Sequence, residues 1–383
     1  MNRHKSTEEW EIERAMGSSL ERVVKRLVIA LISVAALMAG GYLFFLVALQ
    51  PPPVTNYPIV YVPVETPAPR PMAERVEEPP PVVEEPIEEG WRHGVYTILI
   101  AGEDDDFGGT DVVMVALFDT RAGTLDVLSI PRDTLVNVPW NTRRINTFQN
   151  LYTRLDQDFP HYIYALRDGV SKLIGHETTN WITLDLDGFV NLVDAIGGVE
   201  FDVPQRMRYS DPYQGLFINL QPGLQRLDGE QAMHLVRFRS YREGDIQRIR
   251  TQQAFLGALA EQLLQARNLW VIDDIIQIFR DNVDTDLSLM NLGYFAREFL
   301  LLDSENINFH TVDRDIANIF DRIHGASYVT LYVEPWLELI NAYMNPFTFE
   351  ITADDVEIVS RDENGNLFVT NGTLYGGGNW GRR

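Results

Sequence analysis

Hydrophobic positions fall along this chain in three textures. The first is a run without a single charged side chain, residues 27–49, LVIALISVAALMAGGYLFFLVAL. At about 1.5 Å of rise per residue, a helix of that length spans roughly 35 Å, enough for a bilayer core of about 30 Å. A buried helix or a cleaved signal peptide are the other readings. The run is longer than a signal h-region, and QPPPVTNYP follows it in place of a small-x-small cleavage site. It therefore predicts one N-terminal transmembrane helix that is retained. The second texture, residues 50–90, holds twelve of the twenty prolines and eight glutamates against two arginines. Proline lacks the backbone donor and fixes φ, so this stretch reads as an extended, acidic extracytoplasmic linker. The third begins at Trp91 and alternates short apolar runs with helical periodicity.

Within that third part, YTILIAG and VVMVALFD read as buried strands, with TLDVLSIP returning after the turn TRAG. LDGFVNLVDAIGGVEFDVP reads as a helix, a Gly-Gly stop and a strand. DGEQAMHLVRF opens on an acidic cap, and DIQRIRTQQAFLGALAEQLLQA is a long amphipathic helix. LSLMNLGYFAREFLLL, INFHTV and EPWLELINAYM continue as helix, strand and helix; residues 346–383 read as a C-terminal tail, whose last stretch GNLFVTNGTLYGGGNWGRR ends in glycine-rich sequence and reads as frayed. Strands interleaved with helices in this order imply an α/β fold of the α+β sandwich kind.

Charge settles the orientation expected for the first texture. Lys25 and Arg26 abut the apolar run, and no Lys or Arg follows it until Arg70. The positive-inside rule then makes residues 1–26 a cytoplasmic tail and puts everything after residue 50 outside the cell membrane. The formal net charge of −23 argues against nucleic acid as a partner, because duplex binding needs a basic surface. There is no cysteine, which excludes disulfides and thiolate metal sites, and the seven histidines form no zinc motif.

Three stretches carry candidate chemistry. VRFRSYREGDIQRIRTQQ gathers five arginines between Arg237 and Arg250. With Asp245 capping the helix, Arg248 and Gln252 share one face, and Arg237 and Arg239 precede them; together they suit a phosphate, which guanidinium forks hold with paired hydrogen bonds. Surface salt bridges with Glu243 and Asp245 are the competing account. SIPRDT delivers Arg132 and Asp133 at the mouth of a strand, either for a ligand or as a turn with an internal ion pair. AGEDDDFGGTD places acidic residues between two strands, where they serve Mg²⁺ or are simply solvated.

These residues match an ordered series. SIPRDT, RRIN (143–146), TLDLDGFVNLVDAIGGVEFDV (183–203), LQPGLQRLDGEQAMHLVRFR (220–239) and GDIQRIRTQQ (244–253) together resemble the LytR-CpsA-Psr domain over about residues 94–265. The resemblance implies a catalytic domain over 91–345 built on a central mixed β-sheet flanked by helices, with an apolar pocket for a polyprenyl tail. It implies an extracytoplasmic phosphotransferase that moves a glycopolymer from a polyprenyl-pyrophosphate carrier to peptidoglycan or another cell-wall acceptor, forming a phosphodiester. A non-catalytic polyprenyl-phosphate or wall-binding envelope protein is the alternative. Carried over residue by residue, Arg132, Arg237, Arg239, Arg248 and Gln252 hold the pyrophosphate. Asp104 and Asp111 hold Mg²⁺, and Arg132, Asp133, Asp111, Arg237 and Arg239 form the catalytic set. Asp105 and Asp106 remain alternatives to Asp104. The chain departs from the family where arginines are usual: Asp106 and Gly109 stand in the first loop and Thr251 before the glutamines. A less basic pocket follows.

Overall fold

The computed structural model describes residues 51–52, 90–104, 109–138, 142–148, 162–213, 215–238, 240–241, 245–265 and 282–374. The expected transmembrane helix, almost all of the linker, and Asp105, Asp106 and Arg239 lie outside them. Among the described residues no helix is long and apolar enough to cross a membrane. The chain divides into two units, residues 1–52 with 288–295 and residues 53–287 with 296–383, and the second holds the sheet and the candidate site.

In chain order the strands are β1 (Val95–Asp104), β2 (Gly109–Asp119), β3 (Thr124–Ile130), β4 (Asn180–Leu184), β5 (Val199–Val203), β6 (Met207–Asp211), β7 (Leu216–Leu220), β8 (Gly223–Leu227), β9 (Val283–Thr285), β10 (Ile307–Thr311), β11 (Ala317–Ile323), β12 (Ala326–Leu331), β13 (Val359–Arg361) and β14 (Leu367–Val369). The helices are α1 (Ile163–Ile174), α2 (Leu186–Ala195), α3 (Gly229–Arg237), α4 (Asp245–Gln265), α5 (Leu289–Leu300) and α6 (Val333–Leu339), the last continuing as a π-helical turn over Ile340–Met344.

Six strands form the central sheet in the order β10-β3-β2-β1-β4-β9. β1 pairs antiparallel with β2 and parallel with β4, β2 antiparallel with β3, and β3 parallel with β10, so the sheet is mixed as the resemblance implied. The strands at its centre are apolar on both faces. Val95, Ile98, Leu99 and Ala101 of β1 and Val113, Val115, Leu117 and Phe118 of β2 are all buried, which is why these segments read as continuous runs rather than alternating ones.

Helices cover both faces. Leu128 and Ile130 of β3 pack in one core with Ile163, Leu166, Val170 and Leu173 of α1 and with Trp336 of α6. Trp336 is fully buried and donates its indole N–H to the Leu173 carbonyl at 2.7 Å, which joins the two helices. Ser129, between Leu128 and Ile130, points the other way by the period of two. It meets Gln253 of α4, so α4 lies on the opposite face. A second core joins α2, α3 and α4 to the two-stranded ribbons β5–β8 and β6–β7 through Val193, Leu227, Ala232, Leu235 and Phe255.

The local signals act as the sequence predicts. Asp185 caps α2 by accepting from the Gly188 N–H at 2.6 Å, and Asp228 and Gln231 form a capping box on α3. α2 stops at Gly197 and Gly198, both in the left-handed region at φ 80° and 83°. The end of the chain differs from its sequence reading. Residues 346–374 of the expected tail carry the β13–β14 hairpin and bury Ile351, Val356, Ile358 and Val359, and β14 falls in the stretch from Gly365 expected to fray. Asp321, itself buried, takes a forked pair of hydrogen bonds from Arg361, at 2.6 and 2.9 Å, and fastens the hairpin to β11.

Candidate functional site

Strand directions gather the site at one end of the central sheet. β1, β3, β4 and β10 run parallel to one another, so their C-terminal ends share an edge, and β2 starts there. Ligands of α/β sheets sit outside such carboxyl ends. Asp104 closes β1 opposite Gly109, and the ladder shifts register between Gly102 and Glu103, beside Asp111. Val113 pairs with Ile130 across β2 and β3; two positions nearer the edge stand Asp111, earlier in β2, and Arg132, just past the end of β3. The backbone therefore brings Asp104, Asp111 and the Arg132–Asp133 segment to one edge. The side chains of Asp104 and Asp111 lie outside the described set. Among the described residues no group of three or more His, Asp or Glu is arranged to hold a metal ion.

α4 supplies the opposite wall. Gln253 donates to the His310 carbonyl at 2.7 Å and approaches Ser129 Oγ at 3.3 Å. One turn later Gly257 lies beside the ring of Phe309. Moving along α4 thus means moving back down β10, and the helix start projects past the mouth of β3. Arg248 lies five residues before Gln253, roughly 7 Å nearer that mouth along the helix axis. Gln252 points elsewhere, because successive side chains on a helix diverge by about 100°. Its Nε2 donates to the Val236 carbonyl at 2.7 Å, in the last turn of α3. Arg237, the final residue of α3, is thereby tied to the same helix as Arg248.

Gln252 thus ties the α4 segment of Arg248 to the α3 segment that ends in Arg237, while Arg132 stands just past the end of β3. Arg248 is only 8% exposed, an unusual depth for a guanidinium in so acidic a chain. Beside it lies the buried Tyr241, whose ring meets Phe238 edge-on at 4.9 Å between centroids. Burial raises the Tyr241 phenol above its ordinary range, while Thr251 and the Arg248 guanidinium pull it back down. Thr251, standing where the family usually has arginine, turns inward and hydrogen-bonds the Gln247 carbonyl at 2.8 Å. Arg239 lies outside the described residues.

Asp133 pairs with Arg144, whose Nη1 stands 3.1 Å from Asp133 Oδ1. Arg144 Nη2 also donates to the Ser327 carbonyl at 2.9 Å, and its guanidinium lies over the Tyr328 ring, 5.4 Å from the centroid. The turn 143–146 is stitched to the 132–136 segment by Asn146 N–H to Arg132 C=O, Ile145 N–H to Thr134 C=O and Val136 N–H to Arg143 C=O. Arg144, Tyr241 and Gln253 are site neighbours that the reading of the sequence left without a role. RRIN was visible as a motif, but nothing local shows that its second arginine reaches back eleven residues to Asp133. Gln253 was legible only as the neighbour of Gln252.

The family description LytR_cpsA_psr matches residues 75–342. Among curated proteins, the chain is 29% identical over 202 residues to the polyisoprenyl-teichoic acid–peptidoglycan teichoic acid transferase TagV of Bacillus subtilis, covering 51% of this chain and 50% of TagV. It is 35% identical over 162 residues to the probable cell wall biosynthesis protein LcpB of Corynebacterium glutamicum, covering 42% and 36%. The chain thus spans half or less of these two relatives. Among solved structures, B. subtilis TagV superposes with a TM-score of 0.53 at 22% identity, over 66% of this chain and 96% of that one. TagT bound to LI-WTA superposes with a TM-score of 0.50 at 20% identity, over 67% and 92%. The fold is that of these structures. The family match runs from the linker through the last turn of helix behind the sheet and takes in every arginine gathered above, so the chain belongs to the LytR-CpsA-Psr family.

Proposed function

We propose that this chain is a phosphotransferase that moves a glycopolymer from a polyprenyl-pyrophosphate carrier to a cell-wall acceptor, typically peptidoglycan. The observation that supports the reading is the tie that Gln252 and Gln253 make between the last turn of α3, which ends in Arg237, α4, which carries Arg248, and the strands β3 and β10, the first of which leads to Arg132. The similarity to TagV, a protein named as a teichoic acid transferase acting on peptidoglycan, supports the substrate class. In the proposed reaction an acceptor hydroxyl oxygen bonds to the glycopolymer-side phosphorus. The bond from that phosphorus to the bridging oxygen breaks, and polyprenyl phosphate leaves with the bonding electrons. The hydroxyl proton passes to one of the aspartates at the edge.

The chain's part in this is placement and charge. Guanidinium forks take the non-bridging oxygens in paired hydrogen bonds and oppose the negative charge that grows on the leaving phosphate. Asp104, opposite Gly109 at the end of β1, and Asp111, at the register shift in β2, are hard oxygen donors of the kind Mg²⁺ takes. When bound there, Mg²⁺ would supply further neutralisation of the pyrophosphate. In this reading residues 27–49 anchor the chain in the cell membrane, N-terminus in the cytoplasm, with the sheet outside.

The test uses the full chain in detergent with a polyprenyl-pyrophosphate-linked glycan, a peptidoglycan fragment and Mg²⁺, following release of polyprenyl phosphate. Release that requires acceptor and metal, and that falls about a hundredfold in Arg237→Ala, is the expected result. Tight lipid binding without release would replace the transferase with the binding-protein reading, for which the missing first-loop arginines at Asp106 and Gly109 are the motive.

A further inference from the structure

Asp133 sits next to Arg132 in the chain, so a carboxylate stands beside a residue that is to hold an anion. Left uncompensated, it would repel a pyrophosphate and compete for the guanidinium at its side. At an effective dielectric of about 20, one charge about 10 Å away shifts an anion's binding by about tenfold. The chain is poor in the basic residues usual at this edge, so one unopposed carboxylate weighs more here.

Arg144 answers that charge. Its Nη1 is 3.1 Å from Asp133 Oδ1, and both side chains are 28% exposed. The guanidinium has no room to wander: Nη2 is held by the Ser327 carbonyl at 2.9 Å and the flat face lies over Tyr328, which is 5% exposed. The backbone on either side is fixed as well. The Asp133 carbonyl accepts from Val329 N–H at 3.0 Å, and the Arg132 carbonyl accepts from Asn146 N–H at 3.2 Å. β12 and the 143–146 turn therefore grip the segment that presents Arg132 from two sides.

We infer that Arg144 is a positioning residue of the anion site: it neutralises and holds Asp133, so that the Arg132 segment meets a pyrophosphate without an opposing carboxylate. This rests on the pyrophosphate reading of the site, and it gives Arg144 and Asp133 a joint role acting through Arg132. Removing the Arg144 charge leaves the fold in place, because Leu135 N–H to Val329 C=O at 2.8 Å, Ile145 N–H to Thr134 C=O at 3.0 Å and the buried Leu135 and Ile145 all remain.

The experiment is a cycle on the full chain in detergent: wild type, Arg144→Met, Asp133→Asn and the double variant, each titrated with inorganic pyrophosphate by calorimetry and each melted. Arg144→Met is expected to weaken pyrophosphate binding about tenfold. Asp133→Asn added to it is expected to restore most of the lost affinity, since the harmful charge is then gone. Arg144→Lys, which keeps a cation there, is expected to stay close to wild type. An Arg144 that touches the anion directly would give no rescue by Asp133→Asn, and that result overturns the inference. Undiminished binding in Arg144→Met, or a wild type that binds no pyrophosphate, overturns it too. Rescue in the titrations beside a wild type that binds but never turns over would sink the transferase reading and leave this one standing.

Discussion

Gln253 of α4 donates its side-chain N–H to the backbone carbonyl of His310 on β10 at 2.7 Å, across 57 residues of sequence. The same amide approaches Ser129 Oγ at 3.3 Å, so one side chain fastens the helix to two neighbouring strands. His310 is held in turn by Asp126 at 2.8 Å and stacks on Tyr343. Gln253→Leu would leave a carbonyl and a hydroxyl without their partner in a partly buried place, at a cost of about 1–3 kcal/mol. Denaturant unfolding should show that loss, and turnover should fall with it because Arg248 rides on the same helix. Unchanged stability in this variant would detach α4 from its role as the wall of the site.

α3 carries Arg237 at its end and touches α2 at its beginning. A Cβ on Gly229 would come within 2.3 Å of the Val190 carbonyl oxygen, a backbone atom with no easy way to retreat. Gly229 N–H also donates to Asp194 Oδ1 at 2.7 Å, which locks the approach. Gly229→Ala should therefore destabilise by about 1–3 kcal/mol through overpacking. Thermal unfolding measures it, and a variant as stable as wild type would mean the two helices are free to part.

His176 is 5% exposed, between the Glu177 and Met344 carbonyls at 3.1 and 3.0 Å, with Trp91 and Phe347 edge-on to its ring. Burial pushes its pKa down to about 4, against the upward pull of the two carbonyls. The folded value lies below the unfolded one, so between pH 4 and 6.5 the unfolded chain binds the extra proton. The contribution is whole above pH 6.5 and is lost as the pH falls towards 4, reaching about 3 kcal/mol. The measurement is therefore the difference between wild type and His176→Gln in unfolding free energy at pH 7.5 and pH 4.5. A gap that does not narrow towards pH 4.5 would contradict a buried neutral imidazole.

Much of the architecture was legible because its signals are local. The central strands announce themselves as apolar runs bounded by turn residues, and α2 and α3 by their caps, since an aspartate and the N–H groups it accepts from lie within three residues. The end of the chain was not legible. β13 and β14 have three residues each, too few for a period to show, and what holds them is Arg361 reaching Asp321 across 40 residues.

The chemistry divides along the same line. By itself the sequence determined which residue types are available: guanidinium groups around residue 240 and at Arg132, carboxylates at 104 and 111, and the order of motifs that marks the family. A side chain's chemistry and its near neighbours travel with the sequence. Only the tertiary structure decided that β1, β3 and β10 end at one edge, that Gln252 and Gln253 tie α4 to α3 on one side and to β3 and β10 on the other, and that Arg144 pairs with Asp133. Those relationships depend on strand order, helix direction and contacts between distant segments, which arise when the chain closes around a shared core.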